Sequence, residues 1–368
     1  MTNEANTPNI SEQEQAWKRV YRQNKGAFLI LLAEAVASSM DAIVRFLQQG
    51  GRGIHPYQII FARMAGTTIL STIYMWWNQV PDFPLGKPSV RGLLVIRALF
   101  GFFGLWCLYY SVRFLPLAEA TVFRFLVPIV TGWACSIFLG QVFSGKDLCA
   151  GLIALIGVII IAQPAAIFGP KNDLVDSSDL LFLATSGNKI DQVTPAQRLF
   201  AIAVSLLGVL GASGAYTMIR VIGDRAHALI SVNYFAIVST VGSTLILLLT
   251  PNIGFKLPQD VREWALLASL GVLGFILQFL LTAGLQLDRG TKATSMMYSQ
   301  IIFALLFDWG IWGMFPGTWS IIGGFIVIAS TLWSALQKHQ EPKIKSSETS
   351  AVDEESALLG ENRESDSD

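Results

Sequence analysis

Ionisable side chains interrupt the long apolar stretches of this sequence. Both signs of charge occur at such positions, at Arg63, Arg97, Arg124, Arg220, Glu34, Asp41, Glu119 and Asp308. A charge in hydrocarbon costs several kcal/mol, so each of these groups either pairs with another or serves a functional site. The two signs balance in number, but the most deeply placed groups are arginines. This pattern favours an anionic or zwitterionic organic solute as the ligand.

Each arginine in these stretches has a structural alternative to a role in solute binding. Arg63 either forms an ion pair with Asp41 or Glu34 of the first apolar stretch or binds the solute. Arg124 is five residues from Glu119, off the spacing of helical ion pairs, so we expect its partner to be a solute or another helix. Arg97 lies about one turn inside its apolar stretch and either snorkels to the membrane surface or faces a site.

A second group of residues is suited to gating or coupling. Arg45 and Arg220 occupy the similar segments MDAIVRFL and AYTMIRVI, near the ends of the first and sixth apolar stretches. They either snorkel to the headgroups or form a symmetric pair of charged gates. Asp308 is either a proton-coupling carboxylate or the partner of an arginine. The candidate gating or coupling residues are Asp41, Arg45, Arg220 and Asp308.

Uncharged polar residues occur at similar depths in the later apolar stretches. They are Asn233, Tyr234, Gln278, Tyr298 and Gln300. Taken singly, each is typical of hydrogen bonds that hold membrane helices together. Taken together they predict a pocket, so the candidate substrate-binding residues are these five with Arg63, Arg97 and Arg124.

The composition identifies the elements that must position these side chains. Hydrophobic residues make up 52% of the 368 residues, charged residues only 14%, and the mean hydropathy is +0.51. These values predict a multi-pass membrane protein rather than a soluble one. The three cysteines have no ligand or disulfide spacing, and motifs of hydrolases, metalloproteases or phosphate loops do not occur. We therefore expect no enzyme, cofactor, metal or nucleic-acid partner.

Ten apolar stretches are each near the 20 or so residues that span about 30 Å of hydrocarbon. Their predicted limits are Gly26–Leu47, Tyr57–Asn78, Val90–Phe114, Leu117–Leu139, Leu148–Phe168, Leu199–Ile222, Leu229–Leu249, Trp264–Leu285, Ala293–Met314 and Trp319–Leu336. Pro128 interrupts the fourth, and the pair Ser299-Gln300 interrupts the ninth. The bias of Lys and Arg in the connectors places both termini in the cytoplasm.

The two halves of the chain share a weak internal repeat. GFFG at Gly101 to Gly104 aligns with GVLG at Gly271 to Gly274, and Ala120-Thr121 aligns with Ala293-Thr294 after a small slip. Each half has an odd number of spans, so the second half enters the membrane inverted. The predicted domains are a cytoplasmic segment (1–25), a first repeat of five helices (26–168), an extracytoplasmic connector (169–197), a second repeat (198–338) and a disordered acidic tail (339–368).

The tail contains a short candidate sorting signal. Glu354, Leu358 and Leu359 form an acidic dileucine pattern of the kind that clathrin adaptors bind. Such patterns also arise by chance. The predicted residence is a vacuolar or other endomembrane, or the plasma membrane, and a homodimer is possible.

Several blocks of sequence resemble a known family. HPYQIIFARM, RALFGFFG, LPLAEATVFRFLVP, SVNYFAIV, GVLGFILQFLLTAGLQ and MMYSQIIFALLFDW occur in this order between Ala27 and Leu336. They resemble the drug/metabolite transporter superfamily of EamA type, and more narrowly its fungal branch related to the G subgroup of solute carrier family 35. Two residues depart from the family pattern: Gln141 stands where glutamate is usual, and Arg124 stands where an uncharged residue is expected.

The resemblance implies an all-α fold of ten transmembrane helices in two inverted five-helix repeats. It also implies a secondary transporter that moves a small polar organic metabolite by alternating access. The alternative from a different class is a non-transporting membrane adaptor that acts through its cytoplasmic tail. Solute flux would distinguish the two.

Overall fold

The computed structural model describes residues 10–49, 56–111, 115, 122–140, 145–162, 195–250, 255, 257–258, 260–287, 292–313 and 317–336. They belong to one unit, Met1–Leu336, and Gln337–Asp368 form another. The predicted sorting signal, most of the predicted connector, Glu119 and the side chain of Arg45 lie outside the described residues.

The regular structure of the described residues is helical. The helices are α1 (Ile10–Gln49), α2 (Pro56–Trp77), α3 (Pro88–Ser111), α4 (Val127–Leu139), α5 (Gly145–Ala162), α6 (Pro195–Ile222), α7 (Ala228–Leu249), α8 (Val261–Leu287), α9 (Lys292–Met296), α10 (Gln300–Trp312) and α11 (Thr318–Leu336). Within the described ranges, eight helical segments are long and apolar enough to cross a membrane. Helices suit hydrocarbon because they satisfy their own backbone hydrogen bonds. The multi-pass class predicted from composition and the all-α class implied by the family resemblance are confirmed.

Two of the predicted spans are interrupted. In the fourth, residues 122–124 are helical, residues 125–126 form a turn, and α4 then begins at Val127 with Pro128 in its first turn. In the ninth, a 3₁₀ turn at Met297–Ser299 separates α9 from α10. The ninth span is therefore not one continuous helix. It ends at Trp312, because Gly313 adopts a left-handed conformation with φ of 66°.

The helices of the first half pack mainly against helices of the second half. The main pairs are α1 with α8, α3 with α6, α2 with both α7 and α8, α3 with α7, α4 with α6, α1 with α10, and α5 with α11. The largest apolar cluster joins Ile30 and Met40 of α1 to Leu270 and Leu285 of α8. The core thus lies between the halves rather than within either one.

Glycines set the distances at two of these crossings. A Cβ atom on Gly66 of α2 would lie 2.7 Å from the Cα atom of Gly271 on α8. A Cβ atom on Gly104 of α3 would lie 2.7 Å from the backbone nitrogen of Ala212 on α6. Both crossings require glycine, because only small residues let backbones approach this closely.

A loop closes the end of the helix bundle at which α2 ends and α3 begins. In this sealing loop (residues 78–87), Val80 is buried in an apolar cluster with Leu94 of α3, Ile222 of α6 and Ile230 of α7. The Tyr234 hydroxyl donates a hydrogen bond to the Leu85 carbonyl at 3.0 Å. Hydrocarbon packing and one long-range hydrogen bond therefore hold the loop across this end.

Candidate functional site

A cavity of about 210 Å³ lies among the helices of both halves. Its ionisable lining residues are Glu34, Asp41, Arg63, Arg97, Arg124 and Tyr216, and polar groups come from Ser205, Gln278 and Gln300. Three arginines face two carboxylates, so the lining carries an excess of one positive charge when all five are ionised. Buried charges in an apolar protein interior are the usual mark of a binding or coupling site.

Helix α1 supplies both carboxylates. Glu34 is 7% exposed. Asp41 accepts a hydrogen bond from Gln300 Nε2 at 3.1 Å, and Ser38 Oγ donates to the Gln300 carbonyl at 3.0 Å. These two bonds fix the first residue of α10 against α1, so the break before α10 is part of the cavity wall.

Arg63 reaches the cavity from α2 across the surface of α8. A Cβ atom on Gly274 would lie 2.9 Å from Arg63 Cγ and 3.0 Å from Thr67 Oγ1. The glycine therefore makes room for the stem of the arginine. Arg63 interacts electrostatically with Asp41, one of the two partners expected from the sequence.

Arg97 is buried rather than snorkelling. Its side chain is 3% exposed, and its guanidinium lies over the ring of Phe235 on α7, with Cζ 4.5 Å from the ring centroid. Two guanidinium nitrogens, Nε and Nη1, are buried without a hydrogen-bond acceptor among the described residues. A cation over an aromatic face keeps its N–H groups available in the ring plane of the guanidinium. The Arg97 guanidinium is therefore available to donate hydrogen bonds to an anion.

Arg124 lies just before α4, in the interrupted fourth span, and is more exposed than the other two arginines. Arg124 interacts electrostatically with Glu34 and Asp41, both on α1. The sequence left a solute or another helix as the partner of Arg124, and α1 offers these two carboxylates among the described residues. The family departure at this position adds a positive charge to the cavity.

Several predicted site residues lie away from the cavity. Asn233 Oδ1 accepts hydrogen bonds from Ser71 Oγ at 3.0 Å and from Thr72 Oγ1 at 3.4 Å, as a helix-helix contact. Tyr234 bonds to the sealing loop. Tyr298 stacks on Phe125 with ring centroids 6.0 Å apart, behind the lining. Arg220 is 7% exposed on α6, Asp308 is half-buried on α10, and neither lines the cavity.

Three polar residues of the lining were not among the sequence candidates for the site. Glu34 appeared only as a possible ion-pair partner, and Ser205 and Tyr216 of α6 were not singled out. Glu34 had a signal in the sequence, namely a carboxylate in an apolar stretch seven residues before Asp41. This spacing is close to two helical turns and places both carboxylates on one face of α1. A serine and a tyrosine in an apolar helix carry no comparable signal.

The chain is similar to known proteins both in sequence and in fold. Residues 24–163 and 194–336 both match the model of the EamA-like transporter family. A probable transport protein of Saccharomyces cerevisiae is 34% identical over 331 residues, covering 86% of this chain and 90% of that protein. Member G1 of solute carrier family 35 from Mus musculus is 26% identical over 327 residues, covering 89% and 82%.

A solved crystal structure shares the fold with a TM-score of 0.67 at 13% sequence identity, over 87% of this chain and 100% of that chain. The resemblance to drug/metabolite transporters and to the G subgroup of solute carrier family 35 is thus confirmed. One family model matched twice, across an all-helical membrane protein, shows that the chain belongs to the EamA-like transporter family.

Proposed function

We propose that this membrane transporter moves a small organic anion or zwitterion by alternating access around the cavity between its two halves. The observation that carries the proposal is Arg97, whose Nε and Nη1 atoms are buried in the cavity lining without an acceptor among the described residues. A buried donor without an acceptor is costly, and a carboxylate or phosphate oxygen of the solute would satisfy it. The excess of arginines over carboxylates in the lining also favours a negative group.

The proposed binding residues are Arg63, Arg97, Arg124, Gln278 and Gln300, all of which line the cavity. Asp41 and Glu34 are the proposed coupling carboxylates, because they face the same arginines that would bind the solute. In a zwitterionic solute, the same carboxylates would bind the ammonium group. Asn233, Tyr234 and Tyr298 are left out of this proposed site because their positions are structural.

The packing of the helices supports two inverted repeats of five spans. Exchanging each span of the first half with its counterpart in the second converts the α1–α8 contact into α6–α3. The same exchange converts α2–α8 into α7–α3, and α4–α6 into α10–α1. The α2–α7 and α5–α11 contacts map onto themselves. Repeats of this kind let a carrier reach inward-open and outward-open states by similar movements.

Reconstituted vesicles give the first test. Uptake of carboxylates, phosphates, amino acids and organic ammonium ions is measured with the wild-type protein, Arg97→Gln, Arg97→Lys and the control Arg262→Gln. Arg262 is an exposed arginine at the start of α8. We expect an anionic or zwitterionic class to be transported and Arg97→Gln to weaken its binding by about tenfold to 150-fold, the value of a hydrogen bond to a charged group. Lysine should restore only part, because it lacks the planar fork of donors.

Two results would contradict the proposal. Transport of cations alone, unaffected by Arg97→Gln, would remove the anion site. Flux of none of these classes from protein of normal thermal stability would favour the membrane-adaptor alternative.

A further inference from the structure

Residues along the crossing of α3 and α6 line one wall of the cavity. These helices run antiparallel, because Gly104 packs at Ala212 while Gly101 packs at Ala215 and Gly208 at Cys107. Arg97 lies on one side of this crossing and Ser205 on the other. With a rise of 1.5 Å per residue, the two side chains start about 20 Å apart along the helices. Both line the same cavity.

Two lining residues at opposite ends of this crossing have polar side-chain atoms without a hydrogen-bond partner among the described residues. At one end are Arg97 Nε and Nη1, and at the other is the hydroxyl of Ser205, which is 5% exposed. Among the described residues, none of these atoms has a hydrogen-bond partner. The backbone positions of the two residues are about 20 Å apart along the helices, which is more than a compact anion spans.

The wall between these ends is apolar. Leu105 and Leu108 of α3, with Val209 and Ala212 of α6, line the cavity between Arg97 and Ser205. The rest of the lining carries the charged residues of α1 and α2 and Arg124, which lies just before α4. A ligand that bound only to the charged residues would leave this apolar wall in contact with water.

On the basis of the proposed function, we propose that the solute is an elongated amphipathic organic anion. Its acidic group bonds to Arg97, its apolar body lies along Leu105, Leu108 and Val209, and a polar group at its far end bonds to Ser205. This arrangement satisfies both orphaned ends of the cavity and covers the apolar wall between them. It assigns α3 and α6 to the recognition of the solute body.

Binding to the purified protein in nanodiscs tests the class of ligand. The probes are butanoate, octanoate and 8-hydroxyoctanoate, with octan-1-ol and octylammonium as chain-matched controls for membrane partition. We expect affinity for the acids to rise about threefold to fourfold for each methylene group that reaches the apolar wall. We expect 8-hydroxyoctanoate to bind more tightly than octanoate, and the two controls not to compete with either acid.

Three variants locate the bound chain. Leu108→Phe should fill part of the wall and reduce the preference for octanoate over butanoate by at least about fivefold, the effect of losing one to two methylene contacts. Leu99→Phe is the matched control, because Leu99 lies on α3 with a side chain that is 54% exposed, outside the cavity lining. Ser205→Ala should lower affinity for the hydroxy acid by about twofold to tenfold and leave octanoate unchanged.

The outcomes separate this inference from the proposed function. Equal binding of butanoate and octanoate, or Arg97-dependent binding confined to compact anions such as citrate or phosphate, would overturn the elongated ligand and leave an anion transporter standing. Identical behaviour of Leu108→Phe and Leu99→Phe would also overturn it. Binding of octylammonium in place of every anion would overturn both.

Discussion

At the scale of single residues, two glycines leave the space that the arginines of the cavity and their supports occupy. Gly101 leaves space for the Phe235 ring, which would otherwise lie 2.8 Å from a Cβ atom, and this ring supports Arg97. Gly274 leaves space for Arg63 in the same way. The glycine repeat seen in the sequence therefore positions charged side chains as well as bringing helices together.

A methyl group at position 274 should disturb Arg63 selectively. In Gly274→Ala the new Cβ would lie 2.9 Å from Arg63 Cγ, so the side chain must move. We expect solute affinity to fall severalfold, with a stability cost of about 1–3 kcal/mol from overpacking. Transport and thermal unfolding of the same preparations measure the two effects.

Gly310→Ala is the matched control, because a Cβ atom there contacts nothing within 4 Å. It should leave affinity unchanged. Equal solute affinity in Gly274→Ala and the wild type would show that Arg63 does not need this position to bind.

The sequence predicts which polar groups lie in apolar surroundings but not which direction each one faces. Asn233 and Gln278 look alike in the sequence, since both are amides within apolar stretches. In the structure Asn233 bonds to Ser71, whereas Gln278 lines the cavity. The difference depends on the rotation of each helix against its neighbours, which no local pattern contains. Arg97 was ambiguous for the same reason.

His227 caps the start of α7 and makes the stability of the protein depend on pH. Its Nδ1 atom accepts a hydrogen bond from the Leu229 backbone N–H at 3.3 Å, as an N-terminal cap. Burial lowers the pKa of His227 below its ordinary value of 6.5. The unfolded chain therefore takes up a proton at higher pH than the folded one, and the stabilisation is lost as pH falls below 6.5 towards the folded pKa.

We expect a small fall in Tm of the wild type across that acidic range, because the side chain is still partly exposed. His227→Asn keeps a capping acceptor that does not titrate, so its Tm should fall less. Parallel pH profiles of the two proteins would contradict the assignment.

At the scale of elements, the positions of the helix breaks could be predicted from the sequence, but their location beside the cavity could not. Proline removes a backbone donor, and Ser299 and Gln300 favour polar contacts, so a break near each was expected. That both breaks would border the cavity depends on contacts between distant parts of the chain, such as Gln300 with Asp41. A 3₁₀ turn inside a longer helix often marks a hinge.

The crossing of α2 and α8 gives a prediction at this scale. In Gly66→Ala the added Cβ would lie 2.7 Å from a backbone atom of Gly271, and a backbone cannot rotate away as a side chain can. Helices α2 and α8 must separate, so we expect a loss of about 1–3 kcal/mol in stability. Thermal unfolding in detergent measures it.

The comparison variant is Gly92→Ala on α3, where a Cβ atom meets nothing within 4 Å. It should raise stability slightly, because alanine is the better helix former. A Tm for Gly66→Ala at or above that of Gly92→Ala would mean that the crossing tolerates a wider spacing.

At the scale of the whole molecule, the bias of basic residues predicts that both termini lie in the cytoplasm. Protease added to sealed vesicles with the cytoplasmic face outward should remove epitope tags from both ends. In vesicles of the opposite orientation both tags should survive. Survival of one tag in the first preparation would require an odd number of crossings and would contradict the ten-span arrangement.

In the proposed alternating-access cycle, the sealing loop would make the population of the resting state sensitive to temperature. Val80 is held across the α2–α3 end by apolar contacts, and burying one such side chain is worth about 1.5–3 kcal/mol. Each 1.4 kcal/mol or so changes a population ratio about tenfold. Apolar burial weakens on cooling, so in an alternating-access cycle the share of molecules with this end shut falls in the cold. The population of the shut state would then depend on temperature. Organisms that grow at different temperatures would need different side chains at position 80 to keep the same resting population.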